Sequence, residues 1–145
     1  TGFSVSGQIW KIHRTLEGLD SKRALCGGVG GEVGRAFYWQ GFDTERTSIR
    51  PEDLLVRMGF PRTPLLVDAA TTWIKSASGW GNFVLLDLAY IEQRMGCWAG
   101  PQRFGNLTSV FGFTPFNHRL VYEAMLSLPI TYRQRQQMYV DVLKQ

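Results

Sequence analysis

The chain has few of the residues that mark small secreted or metal-binding modules. Its two cysteines, Cys26 and Cys97, share no motif, so neither a disulfide framework nor a thiolate metal knuckle is indicated. Cys26, in a short apolar stretch, reads as a small buried residue of a strand. His13 has no second metal ligand near it in sequence and reads as a packed or half-exposed histidine. No apolar run approaches the length of a membrane span. The opening Thr1-Gly2-Phe3-Ser4-Val5 lacks the charged region and apolar block of a signal peptide. An intracellular, cytoplasmic protein with no membrane partner is the expectation. Charge is also sparse: charged residues make up 19%, and the net charge is +4 with an isoelectric point near 9.3. Such a balance favours anionic ligands without nominating nucleic acid among them. No internal repeat is visible, and strand signals are scarce.

What is present is a hydrophobic content of 44% in 145 residues, enough for the core of one domain, or of part of one, spanning 1–145. Five Trp, five Tyr and nine Phe form a generous aromatic load, which serves either the core or a surface covered by further chain.

The sequence is organised around Cys26-Gly27-Gly28-Val29-Gly30-Gly31-Glu32-Val33-Gly34-Arg35. Residues 23–26 read as a strand, and Glu32 to Gln40 as the helix behind the glycine turn. A strand, a glycine turn and a helix N-terminus together can hold an anion. Glycine lets the backbone approach the ligand, and the first-turn N–H groups point at its charge. Glu32 repels phosphate unless a cation bridges the two, so one reading is a metal-bridged phosphate with Glu32 on the metal. The other is a plain glycine turn with an acid where helix starts favour one. By spacing alone the plain turn is the simpler reading, because the pattern fits neither a dinucleotide-binding fingerprint nor a P-loop.

Elsewhere the chain is helical in pattern. Residues 8–16 carry an apolar stripe, Gly18 to Ser21 form a turn, and residues 41–50 look like a polar connection. Pro51-Glu52-Asp53 opens a helix whose buried side is Leu54, Leu55 and Met58, ended by Gly59-Phe60-Pro61. Residues 64–76 form another, with Leu65, Ala69, Thr72 and Trp73 at helical spacing, broken at residues 78–81. Residues 83–95 are strongly amphipathic, and residues 96–110 read as irregular. Asn117 caps a helix ending at Leu128, with Leu120, Ala124 and Leu128 on its inner face. A last helix spans Tyr132 to Lys144, where Tyr139, Val142 and Leu143 are candidates to pack. A lone strand needs partners for its backbone groups. With no cap at its start and a helix at its end, the chain is expected to be a piece of a larger α/β domain.

Two stretches carry a family resemblance. Leu25-Cys26-Gly27-Gly28-Val29-Gly30-Gly31-Glu32 looks like a strand followed by Gly-x-Gly-x-Asp. Thr114-Pro115-Phe116-Asn117-His118-Arg119-Leu120-Val121-Tyr122-Glu123, closing on Leu126-Ser127-Leu128-Pro129, is similar to Pro-Phe-Leu-Asp-x-Arg-Leu-Val-Glu closing on Leu-Ser-Leu-Pro. Both patterns, with the helices between them, resemble the C-terminal part of asparagine synthetase-like domains. The resemblance implies an α/β, predominantly helical chain, the C-terminal part of an adenine-nucleotide α-hydrolase-like domain with few strands. It also implies a chemistry in which a carboxylate is adenylated by ATP with release of pyrophosphate, and an amine then displaces AMP to give an amide. ATP and Mg²⁺ are the implied cofactors, with metal and fixed positive charge offsetting the leaving pyrophosphate.

By this resemblance Glu32 takes the place of a metal-binding Asp, one methylene longer. Gly28, Gly30 and Gly31 would line the pyrophosphate side, and Arg35 would offset phosphate charge. The family's Ser-Gly-Gly-x-Asp-Ser pyrophosphate loop should lie upstream of the first stretch and has no counterpart here. Gly18-Leu19-Asp20-Ser21 imitates its end but precedes the strand. Val29 stands where relatives carry a Glu or Tyr that helps activate the amine, and valine has no such chemistry. Phe111-Gly112-Phe113 replaces a Glu-x-Arg; Glu92 and Arg94 are either a substitute acid and base or an exposed helix pair. No catalytic residue is assigned, and the chain is expected to be inactive alone. Its partner would be the missing N-terminal part of the domain or another chain, with a homo-oligomer possible. A non-catalytic interaction module is the alternative. A nucleic-acid binder using Arg133, Arg135 and Lys144 is a weaker third, because the basic residues are spread along the chain.

Overall fold

The protein is described by a computed structural model at residues 14, 17, 24–41, 43, 48–77, 79, 82–100 and 111–145. The expected helix of residues 8–16, apart from helical, exposed Arg14, lies outside these residues. So do His13, the turn of residues 18–21, Arg23, the breaker residues 78, 80 and 81, and most of the connection at 42–47. The described chain is predominantly helical, and no described helix is long and apolar enough to cross a membrane.

Strand β1, Ala24–Cys26, pairs in parallel with β2, Phe111–Phe113, in the register Ala24 to Phe111 and Cys26 to Phe113. The Gly27 N–H extends the ladder by donating to the Phe113 carbonyl at 2.9 Å. The second strand was unforeseen, since three residues containing a glycine offer no alternation to read. Cys26 is exposed, a correction to the buried reading; Phe113 on the partner strand is 44% exposed as well.

The expected helix from Glu32 to Gln40 is only a 3₁₀ turn, Gly31–Arg35. Ala36, at φ 51°, is left-handed and stops it. Helix α1, Pro51–Met58, forms as its sequence directs: proline sits in the first turn with Glu52 and Asp53, and Leu54 and Leu55 are buried. Gly59 at φ 76° caps its end through N–H donation to Leu55 and Val56. Helix α2, Pro64–Ala77, packs against α1. Its buried residues are Ala70 and Ala77; of the expected stripe Leu65 is 79% exposed, while Trp73 is partly buried against the core.

Helix α3, Asn82–Leu88, runs straight into a π-helical segment, Ala89–Ala99. The wider register shows at its end, where the Gly100 N–H donates to Met95, five residues back. Residues 96–99, expected to be irregular, thus continue a helix; residues 101–110 lie outside the description. Helix α4, Arg119–Ser127, is capped by His118, whose ring accepts from the Leu120 N–H at 3.2 Å. Asn117, the expected cap, instead accepts from the Tyr122 hydroxyl at 3.2 Å. The inner face of α4 is turned by one residue. Met125 is buried with Val121 and Leu126 packed near it, whereas Leu120 is 65% exposed.

Pro129 forces extended backbone on Leu128 and ends α4. The single last helix expected after it is two, α5 (Ile130–Gln134) and α6 (Gln137–Leu143), separated at left-handed Gln136. Tyr132 in α5 donates to Asp141 in α6 at 2.6 Å, which fixes the corner. Tyr139 is half-buried, but Val142 and Leu143 are exposed. The core gathers around the 3₁₀ turn, with Val33, Ala36, Leu54, Leu86, Tyr90 and Met125 in one cluster.

Candidate functional site

The glycine turn lies where the two resembling stretches meet. β1 delivers the chain into it, β2 runs alongside, and α4 packs over the 3₁₀ turn. Gly30 adopts φ 100°, and a Cβ there would fall 2.9 Å from the Tyr122 hydroxyl and 3.3 Å from Phe116. A Cβ on Gly31 would meet the Phe116 ring and the Tyr139 hydroxyl, each at 3.3 Å. Two glycines are therefore required here, one by conformation and both by close approach. At Gly28 nothing lies within 4 Å, so that position opens outward. Phe116 lies half-buried across the turn.

Glu32 folds back over the loop. Its Oε2 accepts from the Gly30 N–H at 3.1 Å and from the Tyr90 hydroxyl at 2.6 Å. Around Oε1, Arg35 lies 4.0 Å away, a loose, partly exposed pair. The Gly31 N–H donates to the Gly28 carbonyl at 3.2 Å, and the Tyr139 hydroxyl donates to the Gly31 carbonyl. The amides of Gly30 and Gly31 are thus engaged within the turn and are not aimed at an outside anion. Of the five residues picked out in the sequence, Glu32 and Arg35 keep charged groups beside the turn and Gly28 faces open space. Gly30 and Gly31 shape the backbone.

Burial, reinforced by the Glu32 carboxylate, pushes the Tyr90 phenol well above its ordinary range. Tyr90 is therefore a fixed donor to Glu32 and no acid–base group near neutral pH. Arg133 holds the turn from beneath. It is fully buried, donates to the Val33 carbonyl at 2.9 Å, and grips Asp87 through two bonds of 3.0 and 2.8 Å. Asp87 also accepts from the Trp39 indole at 3.2 Å. Burial raises the Asp87 carboxyl above its usual value, against the pull of Arg133 and Trp39. The Arg133 Nε is buried with no hydrogen-bond partner among the described residues. Arg133 had been read as a basic surface residue; its burial removes it from any nucleic-acid face.

A cavity of about 260 Å³ opens beside Val29, lined by Met95, Gly96, Thr114, Asn117 and Tyr122 among others. Among the described residues its lining carries no charged side chain. Glu92, considered as a substitute acid, instead accepts from the Trp73 indole at 2.8 Å and is exposed. Arg94 lies over the rings of Phe37 and Trp98. The contacts of Tyr90, Tyr139, Asp87 and Arg133 around the turn leave no signal in the sequence. Tyr90 is 58 residues from Glu32 and Arg133 is 100 from Val33, distances at which no local spacing carries a signal.

No described group of three or more His, Cys, Asp or Glu residues is arranged to hold a metal. Glu32 alone fits one mode of metal binding, in which Mg²⁺ takes one carboxylate oxygen and completes its shell with phosphate oxygens and water. Comparison with known protein families, with characterised proteins and with solved structures finds no match for the chain.

Proposed function

We propose that the chain is the C-terminal portion of an asparagine synthetase-like domain, an ATP-dependent, AMP-forming amide ligase, and that it is inactive alone. The observation that carries this reading is the meeting of the two resembling stretches. Phe116 and Tyr122 from the second press on Gly30 and Gly31 of the first. The strand that opens the first stretch pairs in parallel with the strand just before the second, as βα units of an α/β sheet do. In this reading β1 and β2 continue into a larger parallel sheet, because a two-stranded parallel ladder leaves unpaired backbone on its outer edges.

Glu32 would hold Mg²⁺ through Oε1, the oxygen not engaged by Tyr90 and Gly30. Arg35 would offset phosphate charge at the same place, and Gly28 would border the bound anion. The bound metal would polarise the phosphoryl oxygens. The neutral cavity beside Val29 suits an uncharged part of the acceptor substrate.

The test is a titration of the chain with pyrophosphate, with and without Mg²⁺, followed by backbone amide shifts. Metal-dependent shifts centred on Gly28 to Glu32 are expected, with an affinity of about millimolar, or about −4 kcal/mol, for half a site. Glu32→Gln should weaken them and Glu32→Asp should retain part. A silent loop at saturating pyrophosphate and Mg²⁺ removes the proposal.

A further inference from the structure

Beside the glycine turn lies a stack of cations and rings. Arg35 sits over the Phe37 ring with its guanidinium carbon 4.9 Å from the centroid. The Arg94 guanidinium carbon is 5.3 Å from the same centroid and 4.8 Å from that of Trp98. The order is therefore Arg35, Phe37, Arg94, Trp98, with cation and ring alternating. Two local features build it. Left-handed Ala36 reverses the chain between Arg35 and Phe37. The π-helical register carries Arg94 and Trp98 on neighbouring turns. Tyr90 packs edgewise on Phe37 at 5.6 Å between centroids, and Tyr38 lies tilted against the same ring at 5.4 Å.

Among the described residues the stack carries more positive charge than its neighbours neutralise. Among the described residues Arg94 has no carboxylate within ion-pair distance; its polar partner is the Tyr38 hydroxyl. Arg35 has Glu32 at 4.0 Å, and the other oxygen of that carboxylate is engaged by Tyr90 and Gly30. A guanidinium stacked on a ring keeps its in-plane N–H edge for an anion. Phe37 and Trp98 are each 39% exposed, so aromatic surface remains open next to those edges.

We propose that Arg35, Phe37, Arg94 and Trp98 form a binding site for a mononucleotide, its phosphate at the guanidinium edges and its base stacked on the exposed aromatic surface. An anion with a flat ring satisfies both halves of the stack, whereas inorganic phosphate uses one and a nucleoside the other. A single-stranded nucleic acid fits less well, because such a strand needs a basic track along its backbone. Arg50, Arg57, Arg119 and Arg133 are each paired with a carboxylate and extend no such track. The site does not depend on Glu32 holding a metal.

Titration with AMP, adenosine and ribose 5-phosphate in EDTA, read by the Trp98 indole resonance and the amides of residues 35–38, tests it. AMP should bind at least about fivefold tighter than either fragment, since each contributes only its half. Arg94→Gln and Trp98→Ala should each weaken AMP about tenfold, while Arg119→Gln, a charge removed elsewhere, should stay within about twofold. Trp98→Phe should retain most of the affinity and Arg94→Lys should lose part, which keeps the test open if the harsher variants unfold. Equal binding of AMP and ribose 5-phosphate, or AMP binding untouched by Arg94→Lys and Trp98→Phe alike, overturns the site. So does a short oligothymidylate that binds more than tenfold tighter than AMP through the same residues. Because EDTA removes the metal, failure here leaves the Mg²⁺-dependent shifts at Glu32 as a separate result.

Discussion

At the residue scale the most informative contact is the one between Tyr90 and Glu32. A phenol donating at 2.6 Å to a half-buried carboxylate fixes which oxygen of Glu32 remains open. Tyr90→Phe should cost about 1–2 kcal/mol, the worth of a hydrogen bond to a charged group at a partly exposed site, measured by urea denaturation. It should also leave Oε2 held by the Gly30 N–H alone and alter the metal dependence of pyrophosphate shifts. The same phenol sets an alkaline limit. Its folded pKa lies above the unfolded value of about 10, so the folded state holds a proton that the unfolded state releases. That stability is fully present below pH of about 10 and falls as pH rises beyond it. Tyr38, Tyr122 and Tyr139 are raised as well, chiefly by burial. Denaturation midpoints at pH 9 and 11 should therefore separate in wild type, and by less in Tyr90→Phe. An unchanged midpoint between the two would show that Tyr90 titrates normally.

At the scale of the element, two glycines in one turn make a controlled comparison. Gly30 is left-handed and closely covered by Tyr122 and Phe116, whereas Gly28 has open space around it. Gly30→Ala should cost about 1–3 kcal/mol through strain and contact, while Gly28→Ala should stay within about 0.5 kcal/mol. Unfolding curves with unchanged slope would measure both. Equal costs would mean that the turn is not held in this conformation. The helices show how far spacing reaches. Helix α1 was legible because proline, two acids and a terminal glycine each have one physical role at a helix end. The faces of α2 and α4 were harder to read, since Leu65 and Leu120, each the first residue of its apolar stripe, are left exposed by the neighbouring helices. One residue turns a helical face by about 100°, so the neighbour decides which stripe is buried. The π-helical register of residues 89–99 leaves no mark in the hydrophobic pattern.

At the scale of the molecule, the buried Arg133–Asp87 pair joins α3, α5 and the turn after β1. Removing one partner leaves the other charge buried and unpaired. Arg133→Met should cost about 3–5 kcal/mol, and the double variant with Asp87→Leu should recover most of it, as chemical denaturation would register. If the double variant is no better than the single one, the pair is not what ties these elements together. Activity belongs to this scale too. Purified chain should release no pyrophosphate from ATP with any carboxylic acid, because the proposed ligase chemistry needs a phosphate loop that lies in no part of this sequence. Steady release abolished by Glu32→Ala would contradict that expectation.

By itself the sequence determined a mainly helical chain, the position of the glycine turn and the strand before it, and helix α1 down to its capping glycine. Each follows from interactions within a few residues: backbone freedom at glycine, the fixed φ of proline, and the charge preference of a helix end. Tertiary structure alone decided that Phe111–Phe113 is a strand, that Arg133 is a buried anchor, and that Glu32 is held by Tyr90. It also set Arg35, Phe37, Arg94 and Trp98 in a single stack. Those outcomes depend on partners dozens of residues away, and the free energy that selects them appears only when both surfaces leave water together.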